Sequence, residues 1–350
     1  MSSFSARYLS RFVVPLRLVR TVATLAEYRG KQTLWAQTKP EVLKRLRQVA
    51  IIESVEASSR MENVEVGPHT FDRIVRHAAD PATTDRSQSE LAGYRDALTM
   101  IHQNAADMPP TENIVRQLHQ TLMRYTPAGG GQYKQAANDI VEKDATGTIS
   151  RIRLRTVTPA LTATAMSALH DGFAAALEAG EIEPVLLIPL YIHDFLCIHP
   201  FPDGNGRVAR LMTLLLLHRL GFDVGRYVSL ERLIEESKAT YYDSLALSDT
   251  DWAAGKHDHA PFTDYLLGVV LAAYRELERN TAVDLDHGAR TRMVERAVES
   301  LPVQFRLAEV EKRCPLVGRD TIRSALTKMK HEGRIISEGR GRAATWRRLS

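Results

Sequence analysis

Twelve consecutive residues, His199-Pro200-Phe201-Pro202-Asp203-Gly204-Asn205-Gly206-Arg207-Val208-Ala209-Arg210, concentrate the chemistry of this chain. They bring together an imidazole, a carboxylate, an amide flanked by glycines, and two guanidiniums three positions apart. His199 titrates near neutrality and suits the removal of a proton from an attacking hydroxyl. Asp203 supplies the single carboxylate that a Mg²⁺ ion takes when it keeps its waters and bridges to phosphate oxygens. Gly204, Asn205 and Gly206 let backbone amides come close to an anion that a Cβ would hold away. Arg207 and Arg210 share a helix face and can fork onto outer phosphates. The set reads as a nucleoside triphosphate site with its metal, beside a general base.

Two helices must hold such a loop. Pro184 to Ile198 is largely apolar and long enough for a buried helix. Arg207 to Leu220 has helix-forming composition and is closed by Gly221. The glycine-flanked amide then opens the second helix, where unpaired N–H groups and the helix dipole favour anions. His193 and Cys197, in the first helix, read as packed core side chains.

The run matches the signature HPFxDGNGRxxR of the Fic family at every fixed position, and the chain resembles that family over most of residues 46–275. The resemblance implies an all-α fold, a Fic helical core with a small β-hairpin flap. It implies a protein adenylyltransferase that moves AMP from Mg-ATP to a Ser, Thr or Tyr hydroxyl of a target protein, with Mn²⁺ an acceptable substitute metal. In that reading His199 is the general base and Asp203 the metal ligand. Gly204, Asn205 and Gly206 cradle phosphate, and Arg207 and Arg210 hold the β- and γ-phosphates. A sister group that transfers a phosphoryl group carries Lys in place of Gly206 and lacks the second Arg, so Gly206 and Arg210 argue against that reaction.

Three further stretches fit the same resemblance. Glu53 to Asn63 reads as a helix with Ser58 and Glu62 four apart. It is similar to the family's inhibitory helix, which implies that Glu62 pairs with Arg210, supported by Ser58, and obstructs the γ-phosphate. Asp139 to Glu142 and Thr148 to Arg155 read as a hairpin around a turn at 144–147. Fic enzymes use such a flap to hold the target as an added strand, which singles out Ile140 and Val141. Tyr241 and Tyr242 resemble the family's nucleotide-side helix, where an aromatic lines the base.

The C-terminal residues have another character. Residues 301–350 hold twelve Lys or Arg against five Asp or Glu, a net of +7 in a chain of +4. Leu307 to Cys314 and Thr321 to His331 read as helices, followed by a basic hairpin, Arg334 to Ser337 and Ala344 to Arg347. This pattern resembles a winged helix-turn-helix. Arg319, Arg323, Thr327 and Lys330 would face DNA, with Arg340 and Arg342 at the wing tip. A protein-docking or dimerisation role for this module stays open.

The expected organisation has five parts: residues 1–45 helical or poorly ordered, 46–110 with the inhibitory helix, and 111–275 the Fic core, followed by a connector at 276–289 and a winged-helix-like domain at 290–350. At 350 residues and 44% apolar content the chain can build a large core. No run reaches membrane-spanning length, and no signal peptide stands out. Two cysteines are too few for a disulfide framework or a metal cluster. A cytoplasmic protein with no membrane partner is expected, with a homodimer left open. Three alternatives stand beside the transferase: removal of AMP, with Glu62 aligning a water; transfer from another nucleotide donor; and a DNA-binding regulator with a nucleotide-sensing Fic core.

Overall fold

The computed structural model describes residues 3–64, 66–76, 85–143, 148–282, 287–314, 317–338 and 345–349. Helices dominate. In chain order they are α1 (Ala6–Leu9), α2 (Leu16–Thr38), α3 (Pro40–Met61), α4 (Pro68–Phe71), α5 (Arg86–Asn104) and α6 (Glu112–Leu122). A two-stranded hairpin follows, β1 (Ile140–Lys143) and β2 (Ile149–Leu154). Then come α7 (Pro159–Ala179), α8 (Pro184–Ile198), α9 (Asn205–Arg219), α10 (Leu230–Glu236), α11 (Lys238–Asp249) and α12 (Ala260–Ala282). The chain ends with α13 (His287–Ser300), β3 (Gln304–Arg306), α14 (Leu307–Arg313), α15 (Arg319–His331), β4 (Ile335–Glu338) and β5 (Thr345–Arg348).

The chain divides into two compact units. One comprises Met1–Thr33 and Ala50–Tyr274; the other comprises Leu34–Val49 and Arg275–Ser350. The expected division at residues 45 and 46 falls inside α3, and that at 275 and 276 lies one residue from the unit boundary between Tyr274 and Arg275, inside α12. Both helices keep helix-forming composition across those points, so nothing local stops them. The N-terminal segment is helical from Ala6 and is tied to the core. Ser3 donates its N–H to Asp194 Oδ2 (2.8 Å) and its hydroxyl to Asp194 Oδ1 (2.7 Å).

The centre of the first unit is α8. It starts with Pro184, whose missing N–H costs nothing in the first turn. From Val185 to Ile198 every side chain is buried. Helices α5, α6 and α9 pack closely around the same core. Gly93 lets α5 meet α6: a Cβ there would lie 1.9 Å from the Leu122 carbonyl oxygen. Among the described residues, no helix is long and apolar enough to cross a membrane.

In the second unit, α13, α14 and α15 enclose an apolar core with an antiparallel sheet of order β3-β5-β4. Its buried residues include Val294, Val298, Phe305, Val310, Ile322, Leu326 and Ile335, with Trp346 packed against them. Arg319, Arg323, Thr327 and Lys330 are exposed on α15. Arg340 and Arg342 lie outside the described residues.

Candidate active site

Helix α8 ends at His199, which takes a left-handed backbone conformation (φ 53°, ψ 59°) as its C-cap. A non-glycine residue there is uncommon and is held by its surroundings. The chain turns back through Gly204, also left-handed (φ 76°), into α9. Glycine suits that turn, because a Cβ would lie 3.1 Å from Leu122 Cδ2.

The loop is clamped at both ends by residues that sequence reading missed. His119 stacks on Phe201 (ring centroids 3.8 Å apart, 7° between planes). Its Nδ1 accepts from Gly131 N (2.8 Å), so its Nε2–H donates to the Asp203 carbonyl (3.1 Å). Asn138 Nδ2 donates to the carbonyls of His199 (3.2 Å) and Phe201 (2.8 Å). Buried Lys134 donates to the Ile198 carbonyl (3.0 Å), Asn138 Oδ1 (2.7 Å) and Thr156 Oγ1 (2.9 Å). Burial pulls the Lys134 ammonium down to about 8. No spacing rule in the sequence connects these residues to the loop; they reach it only through the fold.

His199 is a neutral imidazole. Its Nδ1 faces the Leu196 carbonyl at 3.2 Å, which fixes the proton on Nδ1 and leaves the lone pair on Nε2. Burial, with Lys134 and Arg153 nearby, lowers its pKa to about 4.

Asn205 does not offer its side chain to a ligand. Its Oδ1 accepts from Phe201 N (2.9 Å) and its Nδ2 donates to the Phe201 carbonyl (2.7 Å). Any phosphate contact from Asn205 therefore falls to its backbone amide, one of the first-turn N–H groups that lack a partner within the helix. Arg207 has a carboxylate partner on α5. It is buried and donates to Glu90 Oε2 of α5 at 2.9 Å. Arg86 donates to the other Glu90 oxygen (2.6 Å) and to Asp203 Oδ2 (3.1 Å). Asp203 is half exposed, and its Oδ1 accepts from Gly204 N (2.6 Å). Two cations and two carboxylates thus form one network across α5 and α9.

Helix α3 brings its end to the same place. Helix α3 ends at Met61, and Glu62 follows in a turn with left-handed Asn63 (φ 56°). Arg210 Nη2 donates to Glu62 Oε1 (2.8 Å) and Ser58 Oγ (3.0 Å). A Cβ on Gly206 would lie 3.4 Å from Glu62 Oε1, so the carboxylate rests over the first turn of α9. Burial alone would pull the Arg210 guanidinium down, but Glu62 beside it holds it above its ordinary value. Tyr241 and Tyr242 flank this pair. Burial raises both phenols, and both feel the charges of Glu62 and Arg210. Tyr241 is buried against Phe262 and Tyr265, while Tyr242 is partly open.

The hairpin pairs Ile140 with Leu154 and Val141 with Ile152, with irregular register between Ile140 and Val141. Both residues are half-buried. Thr156 N donates to Asp139 Oδ1 (3.0 Å), which anchors the hairpin base beside the Asn138 and Lys134 clamp. Its expected turn at 144–147 lies outside the described residues.

Residues 109–217 match the Fic/DOC family. The chain carries a Fic/DOC domain. It is 26% identical over 130 residues to a Fido domain-containing protein of Dictyostelium discoideum, covering 37% of this chain and 83% of that one. It is 33% identical over 85 residues to protein adenylyltransferase fic-1 of Caenorhabditis elegans, covering 24% of this chain and only 14% of that protein. The fold is similar to the crystal structure of a Fic family protein from Desulfovibrio desulfuricans, with a TM-score of 0.63 at 22% identity over 97% of each chain.

Proposed function

We propose that the Fic domain is a protein adenylyltransferase restrained by Glu62. The observation that carries this reading is the meeting of three parts at one helix end. These are a neutral imidazole with its lone pair on Nε2, the first-turn amides of α9, and a carboxylate that lies over those amides and engages Arg210.

In the proposed reaction the acceptor hydroxyl of a target protein attacks the α-phosphorus of ATP. The new P–O bond forms as the bond between the α-phosphorus and the bridging oxygen breaks, and pyrophosphate leaves. His199 Nε2 takes the hydroxyl proton. A base near pKa 4 is deprotonated at neutral pH, so it is ready without prior loss of a proton. The α9 amides and Arg210 hold phosphate oxygens once Glu62 withdraws. Arg207, fixed by Glu90, sets the positive wall of the site rather than swinging onto the nucleotide.

The donor set fits a magnesium ion carried in with ATP. Asp203 is an open carboxylate at the mouth of the anion site, and its partner Arg86 is largely exposed and can turn away. When bound, the ion neutralises phosphate charge. The half-buried edge at Ile140 and Val141 would take the target segment as an added strand. Tyr242, at the open side, would line the base. The exposed basic face of α15 supports a winged-helix role in binding DNA or a protein.

The test uses α-³²P-labelled ATP, UTP, GTP and CTP, each with Mg²⁺ and the Glu62→Gly variant. Self-labelling from ATP that disappears in Glu62→Gly/His199→Ala is expected. Labelling from another donor alone would replace adenylyl by that nucleotide. No label from any donor, with or without added cell extract as a source of targets, would overturn the transferase.

A further inference from the structure

Beneath the base, and apart from the nucleotide site, three buried side chains converge. His193 and Cys197 lie four apart on α8, one turn of helix, so they share a face. Asp249 closes the group from the last residue of α11. His193 Nε2 is 3.2 Å from Asp249 Oδ1, Cys197 Sγ is 3.5 Å from His193 Nε2, and Cys197 Sγ is 3.6 Å from Asp249 Oδ1. All three side chains are almost wholly shielded from solvent.

We propose that His193 Nε2, Cys197 Sγ and Asp249 Oδ1 form a binding site for a thiophilic divalent cation, with zinc as the best match. A tetrahedral zinc with bonds of about 2.0–2.2 Å to nitrogen and oxygen and about 2.3 Å to sulfur separates its ligand atoms by roughly 3.4–3.6 Å. The three observed edges lie at those values or within a few tenths of an ångström. The ligand types are also those that zinc selects, and a thiolate disfavours magnesium and calcium.

Hydrogen bonding alone accounts for the group less completely. Whichever tautomer the ring holds, one imidazole N–H and one thiol S–H supply at most two protons to the three edges. One edge is then left without a proton, although all three lie between 3.2 and 3.6 Å. A central cation accounts for all three edges together. Asp249 Oδ2, on the far side, has a charged neighbour in Arg153 Nε at 3.2 Å but no well-aligned hydrogen bond. A carboxylate ligand steadied through its other oxygen is the usual outer-shell arrangement.

Binding replaces the thiol proton. The S–H bond breaks, the sulfur–metal bond forms and the proton leaves to solvent. Burial and Asp249 raise the Cys197 thiol well above its ordinary value, so the metal-free site holds a neutral thiol. Three protein ligands leave a fourth position for a water. The consequence for the fold is local: the cation would join the last turn of α8 to α11, two residues before His199.

The full chain, expressed without a histidine tag in medium supplemented with cobalt, tests this through absorbance. A thiolate-to-cobalt charge-transfer band with one metal per chain is expected. The band should persist in Cys314→Ser, the only other cysteine, and vanish in Cys197→Ser. Zinc added in excess should erase it, and Asp249→Asn should lose stoichiometric metal. Absence of the band in the wild type, or its loss in Cys314→Ser, overturns the site even if Cys197→Ser does not fold. A band that survives in folded Cys197→Ser also overturns it.

Discussion

The loop from His199 to Gly204 and the helix end at Ser58 to Asn63 meet at the same helix terminus but are held in different ways. The loop is fixed by buried and half-buried bonds: Asn205 to both polar groups of Phe201, Asn138 to two carbonyls, His119 to a third, and Lys134 below. The Glu62 contact rests mainly on one guanidinium, and the Glu62 side chain is 34% exposed. Unmaking the loop would leave buried donors and acceptors without partners, at about 1–3 kcal/mol each. Releasing Glu62 returns a carboxylate to water and leaves the buried Arg210 guanidinium to Ser58 or to an incoming anion. One region is therefore a preorganised site, and the other is a contact that can open without unfolding it.

Substitutions can break or sharpen that contrast. The largest loss of stability is expected from Glu90→Ala. It strands the buried Arg207 guanidinium, and losing one partner of a buried pair costs about 3–5 kcal/mol. Denaturant unfolding would show the drop; a change near zero would mean that Arg207 finds water or Asp203 instead. Next comes Asn205→Ala, which removes both bonds to Phe201 and should cost about 2–4 kcal/mol together with transferase activity. If activity survived, the loop would not need its clamp.

Stability also depends on pH. His119 and His199 are held near pKa 4 and His257 near 3, mainly by burial, so the folded state resists protonating them. The unfolded chain takes up those protons first, below its ordinary imidazole pKa of about 6.5. Stability contributed by the neutral rings is thus full above about pH 6.5 and falls as pH drops towards 4. Thermal midpoints measured from pH 7 to pH 5 should decline over that interval. A flat profile would contradict the burial argument. Glu62→Gly should cost about 1–3 kcal/mol, because the carboxylate is 34% exposed but the Arg210 guanidinium it leaves is only 4% exposed and keeps Ser58.

How far the sequence revealed this site follows from chain distance. Every part of the twelve-residue run is local, so its loop and its helix start were legible from spacing. The pairing of Glu62 with Arg210 was legible only through the family resemblance, since 148 residues separate them. Nothing local marks Glu90 as the partner of Arg207, 117 residues away, or Lys134 as the support under Ile198. Asn205 shows the converse limit. Its presence in the motif suggested ligand contact, while the structure gives its side chain to the loop. The helices of the second unit were readable from their apolar spacing, and α15 starts two residues earlier than expected, at Arg319, because Gly318 serves as its N-cap. The expected division at 45 falls within α3, while the one at 275 lies one residue from the unit boundary between Tyr274 and Arg275, inside α12.

The central claim is that Glu62 alone withholds a site that is otherwise complete. Its most direct measurement is the rate of pyrophosphate release from saturating Mg-ATP, for wild type and Glu62→Gly with the same acceptor. Loss of the carboxylate should raise the rate at least about tenfold, the effect of 1.4 kcal/mol on the barrier. Equal rates in the two proteins, with both folded, would contradict it.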